Sequence, residues 1–343
     1  MPGAVSGGSA GGPADGWTAV GPSTDVARCH PFEVTEFTLE PSGPFSLAAA
    51  QDFAGGFAAG IGAHGTATGL LMAFPVEGWR DSAAIDVWQT LDGTVHGDLH
   101  GSDDLETAKH QAARSLSLDH DGRGWAAVGE RDPVLGALQA QYDWLRPVCF
   151  YSAYEAATSF VIGQRIAMRQ ARVVKDRLAD TYGDRVEIDG RVIRPFPRPQ
   201  RLLEVPSIQG LSQVKVERLH GLAQAAIDGV LDTERLRALP EVDALAELAA
   251  LPGVGPWTAS AILLRGCGVA DAVPMVDEIS RTAVVSLYGL PEPLDDATWT
   301  RISDAWRPYR MWATVLLHMA WRRTQPSTPS YRQPSKRSKH SSQ

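Results

Sequence analysis

The sequence predicts an α+β fold: an N-terminal mixed α/β unit built on an antiparallel sheet, followed by a mostly α-helical unit in two helical subdomains. Three observations carry this reading. Short alternating or apolar runs are confined to the first 125 residues, and helical periodicity takes over from Pro133. Gly183, Gly190, Pro195, Pro197, Gly210, Gly229, Gly289 and Pro291 then punctuate the helical run where turns are needed.

In chain order, residues 1–28 are rich in Gly, Ser, Ala and Pro, lack apolar periodicity and read as a disordered tail. An α+β domain is expected over 29–125. Within it, 34–40 alternates like a strand, 45–60 reads as a small-residue helix, and strands are expected at 67–74, 83–90 and 93–99. A helical domain is expected over 130–323. Its helices are placed at 133–142, 151–162, 164–182, 212–228, 233–237, 243–250, 256–265, 277–288, 296–305 and 309–322. Residues 324–343 are polar, Pro-broken and basic, and read as a second disordered tail.

With 343 residues, 44% hydrophobic and 21% charged, the chain has the balance of an ordinary globular protein. No stretch is long and apolar enough to predict a membrane span, and the N-terminus lacks the basic and apolar regions of an export signal. A cytoplasmic protein is expected. Cys29, Cys149 and Cys267 are widely spaced and spell neither a disulfide framework nor a zinc or iron–sulfur set. The formal charge of −8 argues by itself against a nucleic-acid partner. Local runs oppose that average: Arg165, Arg169, Arg172, Lys175 and Arg177 crowd one segment, and Arg322, Arg323, Arg332, Lys336, Arg337 and Lys339 load the C-terminus.

The most informative segment is 243–266, where one helix ends at Ala250, Leu251-Pro-Gly-Val-Gly255 forms a hairpin and Pro256 starts the next helix. Gly253 and Gly255 permit backbone conformations and close approaches that a side chain would block. A glycine hairpin that opens a helix N-terminus points N–H groups outward and suits a DNA phosphate without cationic side chains. An ordinary ligand-free hairpin fits those glycines too.

Four further motifs widen the context in order along the chain: Phe160-Val-Ile-Gly-Gln-Arg-Ile-Ala, Leu264-Arg-Gly-Cys-Gly, Val273-Pro-Met-Val-Asp-Glu-Ile-Ser-Arg and Trp306-Arg-Pro-Tyr-Arg-Met-Trp-Ala. Together with the hairpin they cover about residues 140–322. On them the chain resembles the helix–hairpin–helix DNA glycosylase superfamily, and within it the bacterial 3-methyladenine DNA glycosylase II group.

The resemblance implies a catalytic carboxylate at Asp277, a residue type that also caps helices. It implies a base pocket that includes Trp257, Phe53, His318 and Glu278, and DNA contacts from Gly253, Val254, Gly255, Thr258, Gln164, Arg165, Arg169 and Arg281. Glu278 and His318 stand where the family more often places aromatics, and Gln164 or Arg165 is the expected wedge into the duplex. Arg165, Arg169 and Arg172, spaced i, i+4 and i+7, are expected on one helical face, where a merely solvated face is the plainer alternative. A structural Na⁺ or K⁺ held by the carbonyls of Ala249, Leu251 and Val254 is implied, with no cofactor for catalysis. Relatives that also nick the backbone carry a lysine where this chain has Trp257, so base release without lyase action is expected. No cysteine follows Cys267, so no iron–sulfur cluster is expected.

The expected activity is hydrolysis of the N-glycosidic bond of alkylated bases in damaged double-stranded DNA by a monomer without membrane contact. A glycosylase for deaminated or oxidised bases and a non-catalytic DNA-binding module are the rivals. Asp119-His-Asp-Gly122 is read as a polar turn rather than a calcium loop, since no glutamate follows at the required spacing.

Overall fold

The strands pair because alternation and short β-branched or aromatic runs give each one a face to bury. In a computed structural model, which describes residues 34–57, 64–65, 69–273 and 278–325, they form one five-stranded antiparallel sheet. The strands are β1 (Thr35–Leu39), β2 (His64–Gly65), β3 (Leu70–Pro75), β4 (Ser82–Gln89) and β5 (Val95–His100), in the order β1-β5-β4-β3-β2. Met72 faces Ile85 and Ile85 faces Leu99 across the register, which puts one apolar row on the main core. Helices α1 (Leu47–Phe57) and α2 (Leu105–Ser115) contribute to that core through Phe53, Ala108 and Ala112. Asp104 caps α2 by accepting the Thr107 N–H at 3.1 Å.

The helical part runs through α3 (Trp125–Arg131), α4 (Pro133–Gln141), α5 (Ala153–Gly163) and α6 (Met168–Tyr182) to a small hairpin, β6 (Val186–Ile188) and β7 (Arg191–Ile193). It continues with α7 (Pro199–Leu203), α8 (Gln213–Ile227), α9 (Thr233–Ala238), α10 (Glu241–Ala249) and α11 (Pro256–Arg265). The last elements are α12 (Glu278–Tyr288), α13 (Asp296–Asp304) and α14 (Arg310–Thr324). All described residues belong to one compact unit, Phe32–Gln343. Its main core joins the sheet to α4, α12 and α14, with Trp125, Trp306 and Trp312 fully buried, while a second core gathers α5, α6, α8, α10 and α11.

Several expectations need correction. The mostly helical second part also holds a hairpin that was not expected: β6–β7 turns at Asp189-Gly190, both at positive φ (48° and 72°), and lays Val186 and Ile188 against Leu71, Ala73 and Ala84. That cover explains why β3 is buried on both faces. Helices α2, α3 and α7 were not expected from the periodicity. Helix α6 starts at Met168 rather than at 164, because Arg165 has φ 57°, a left-handed conformation no α-helix continues through. Arg165 therefore does not share a helical face with Arg169 and Arg172, which are exposed on α6. The 117–124 segment is a turn whose carboxylates are engaged, Asp119 by Arg237 and Asp121 by Arg123. The tails lie outside the described residues apart from Thr324 and Gln325, as does Cys29. No described helix is long and apolar enough to cross a membrane.

Candidate active site

Between α10 and α11 the chain folds as its residues require. The cap residue Ala250 closes α10 with helical φ and ψ, the Val254 N–H donates to the Leu251 carbonyl at 3.1 Å, and Pro256 occupies the first turn of α11. Gly253 has φ +80°, and a Cβ there would lie 2.7 Å from Cδ of Arg218. Gly221 of α8 is needed for the same reason, since its Cβ would lie 2.8 Å from Cγ of Pro252. Val254 and Thr258 are each 7% exposed and anchor the turn in the second core, while the first-turn N–H groups of α11 have no carbonyl a turn earlier to bond.

The turn after α5 docks on this hairpin. Gln164 donates from Nε2 to the Gly253 carbonyl at 2.7 Å, and its Oε1 accepts from Arg218 Nη1 at 3.3 Å. Lys215 Nζ donates to the carbonyls of Ile162 at 2.8 Å and Gln164 at 2.5 Å, which closes the end of α5. Burial pushes the Lys215 ammonium below its ordinary range, and the neighbouring Arg218 and Arg165 add to that shift. Arg165 is exposed. Neither Lys215 nor Arg218 was singled out in the sequence, because Gln213–His220 reads as an ordinary solvated helix until α8 is folded against Gly253.

Trp257, in the first turn of α11, is 43% exposed and meets Phe160 edge to face at 5.7 Å, with Phe160 meeting Phe150 in the same way at 5.4 Å. This supports an aromatic face at the rim of the hairpin. A second group forms where α12 begins. Glu278 is exposed at its first position, and the buried Ser280 shares a 2.8 Å hydrogen bond with His318 Nε2 of α14. Asp277 immediately precedes Glu278 and lies outside the described residues.

No family model matches the chain. A probable bifunctional transcriptional activator/DNA repair enzyme AlkA of Mycobacterium tuberculosis is 32% identical over 219 residues, covering 62% of this chain and 42% of that protein. A DNA-3-methyladenine glycosylase of Bacillus subtilis is 26% identical over 212 residues, covering 60% of this chain and 69% of that protein. The solved 3-methyladenine DNA glycosylase of Archaeoglobus fulgidus matches with a TM-score of 0.69 at 20% identity, over 84% of this chain and 99% of that one. The chain is similar in sequence to these DNA repair proteins and shares the fold of the Archaeoglobus enzyme. The matched region spans less than half the length of the mycobacterial relative.

The fold brings some of the expected residues together and separates others. Gly253, Val254, Gly255, Thr258, Gln164 and Arg165 converge on the hairpin, and Trp257 adjoins them. Glu278 opens α12, and His318 of α14 meets that helix through Ser280. Phe53 is only 2% exposed and packs in the sheet-side core, with the Arg265 guanidinium 5.5 Å from its ring centre. Arg281 is committed within the protein: it bonds Asp296 at 2.6 Å and the Leu294 carbonyl at 3.1 Å, and lies 5.4 Å from the Trp299 ring centre. That arrangement makes Arg281 a staple between α12 and α13.

Proposed function

We propose that this chain is a monofunctional DNA glycosylase that hydrolyses the N-glycosidic bond of alkylated purines, of the 3-methyladenine and 7-methylguanine type, in duplex DNA. The observation that carries the reading is the hairpin between α10 and α11, with Asp277 following it in the sequence directly before Glu278, in a chain whose sequence relatives are named DNA-3-methyladenine glycosylases.

The bond from sugar C1′ to the purine nitrogen breaks with its electron pair leaving on the base, so positive charge grows on the sugar. Alkylation has already made the purine cationic, and it departs as a neutral molecule. The Asp277 carboxylate stabilises the sugar cation and accepts a proton from the water whose oxygen bonds C1′. The hairpin N–H groups hold a strand phosphate, and the extruded base stacks on the exposed face of Trp257, where its charge meets the ring's electron-rich face. Trp257 has no amine to attack the sugar, which leaves an intact abasic site as product.

Of the two wedge candidates, Arg165 is favoured, because the Gln164 amide is held by Gly253 and Arg218. The carbonyls of Ala249, Leu251 and Val254 would hold a monovalent cation, since they are neutral oxygens and Leu251 keeps one lone pair after accepting the Val254 N–H. Such an ion would add positive charge behind the hairpin. The enzyme would work as a cytoplasmic monomer on the nucleoid.

The test incubates the protein with methylated duplex DNA and measures free 3-methyladenine and 7-methylguanine by chromatography, together with strand nicking. Release without nicking, lost in Asp277→Asn, is the expected result. No release from a folded protein that binds the duplex would refute the alkylbase assignment.

A further inference from the structure

We propose that Arg218 and Lys215 of α8, together with Arg165, form a side-chain clamp for a DNA phosphate beside the one held by the hairpin. The proposal rests on the reading that the hairpin meets DNA and adds residues from an element that the sequence motifs do not include.

Three cations converge here from two separate elements. Arg218 lies along Gly253 so closely that a Cβ at that glycine would stand 3.2 Å from its Nε, and its one hydrogen bond among the described residues is the 3.3 Å contact to Gln164. Lys215 is held at the base of the group by two carbonyls of the α5 turn. Arg165 projects from that turn in a left-handed conformation. Every recorded acceptor is neutral: among the described residues no carboxylate pairs with any of the three. Elsewhere the same side chain is paired with acids, as in Arg198 with Asp184 and Arg237 with Asp119.

Holding Lys215 at the end of α5 explains Lys215 but not Arg218, whose guanidinium has five N–H donors. Like charges gathered at a half-buried site repel one another, Arg218 and Arg165 adding to the burial that lowers the Lys215 ammonium, and an anion between them relieves that repulsion. The hairpin amides supply a phosphate-sized neighbour, and successive strand phosphates supply the anion. In a chain with net charge −8, such a local concentration of cations offsets the average repulsion of a polyanion.

The experiment measures equilibrium binding of the full chain to an undamaged duplex by fluorescence anisotropy from 50 to 200 mM salt. It compares wild type with Arg218→Gln, Arg165→Gln and, as a distant exposed control, Arg301→Gln. Loss of one phosphate contact flattens the plot of log affinity against log salt by about 0.9. Arg218→Gln and Arg165→Gln should each show that change, their deficit against wild type shrinking about three- to fourfold across the range, while Arg301→Gln follows wild type.

An Arg218→Gln line parallel to wild type, whether superimposed or uniformly lower, overturns the clamp and leaves Arg218 to orient Gln164. Thermal melting checks that each variant is folded. If Arg218→Gln is not, the slope of Arg165→Gln decides in the same way. Because the duplex is undamaged, a protein that releases no base still tests the clamp, whereas one that binds no duplex at 50 mM salt defeats both readings.

Discussion

Arg114 and Arg218 are the same residue type put to opposite uses. Arg114 is fully buried between α2 and α9, where it bonds Glu77, Glu234 and the Tyr151 carbonyl, each at 2.9 Å. Thr233 donates to the same Glu77 oxygen and the Gln111 carboxamide accepts its N–H, so the first part of the chain is riveted to the helical part through one guanidinium. Among the described residues Arg218 has a single, neutral hydrogen-bond partner and two cationic neighbours. A buried charge with carboxylates around it is a structural element, because removing it strands those carboxylates. A half-buried charge among other cations, with no carboxylate partner among the described residues, fits the proposed role of receiving an anion from outside the protein.

The comparison can be broken first at its structural end. Arg114→Leu leaves Glu77 with only the Thr233 hydroxyl among the described residues, and Glu234 with Arg237 and His110, and should cost about 3 kcal/mol of stability, read from urea denaturation. A loss below about 1 kcal/mol would place Arg114 among ordinary surface ion pairs.

A smaller effect is expected at the hairpin rim. Trp257→Ala should leave stability nearly unchanged and lower kcat/KM for 3-methyladenine release by about 10- to 100-fold, the worth of one base-stacking platform. An unchanged rate would remove Trp257 from the pocket.

Smaller again is a pH effect inside the Arg114 cluster. Burial pushes the Cys267 thiol up to about 12, so the folded state holds a proton that the unfolded chain gives up near about 8.5. The resulting stability is intact below that lower value and is lost as pH rises toward the higher one, at no more than about 1.4 kcal/mol per pH unit. Cys267→Ala should flatten this alkaline decline in denaturation midpoints taken from pH 8 to 10.5. A decline of the same slope in the variant would assign it to other groups. Smallest of all, Arg218→Gln should change stability by no more than about 0.5 kcal/mol. A cost comparable to that of Arg114→Leu would erase the distinction between the two arginines.

How far the sequence speaks for itself follows the same division. Helix α11 occupies 256–265 as expected, because Gly255 and Pro256 mark its start in local terms that tertiary contacts do not override. The β6–β7 hairpin carries a local signal too, an Asp-Gly turn between Val-Glu-Ile and Arg-Val-Ile, but three-residue strands flanked by long helical periodicity are easily masked by it. Arg165 shows the limit of periodicity: its spacing to Arg169 fits a helix, and a single left-handed residue breaks the pattern. Arg281 and Arg218 show the limit of motif reading. The first lies in a family motif and is tied to Asp296, whereas the second lies in none and abuts Gly253. What a cation does depends on which carboxylates the fold brings to it, and that is a long-range property.

The central claim, that chemistry at Asp277 is separate from phosphate capture at the hairpin, is tested most directly by single-turnover base release from methylated duplex DNA at saturating protein, with binding measured alongside. Asp277→Asn should bind as wild type does and lose release by at least about 10³-fold, while Arg218→Gln should bind more weakly and release base at the wild-type rate once saturated. Release that survives in Asp277→Asn, or that falls in saturated Arg218→Gln as far as in Asp277→Asn, would contradict the account.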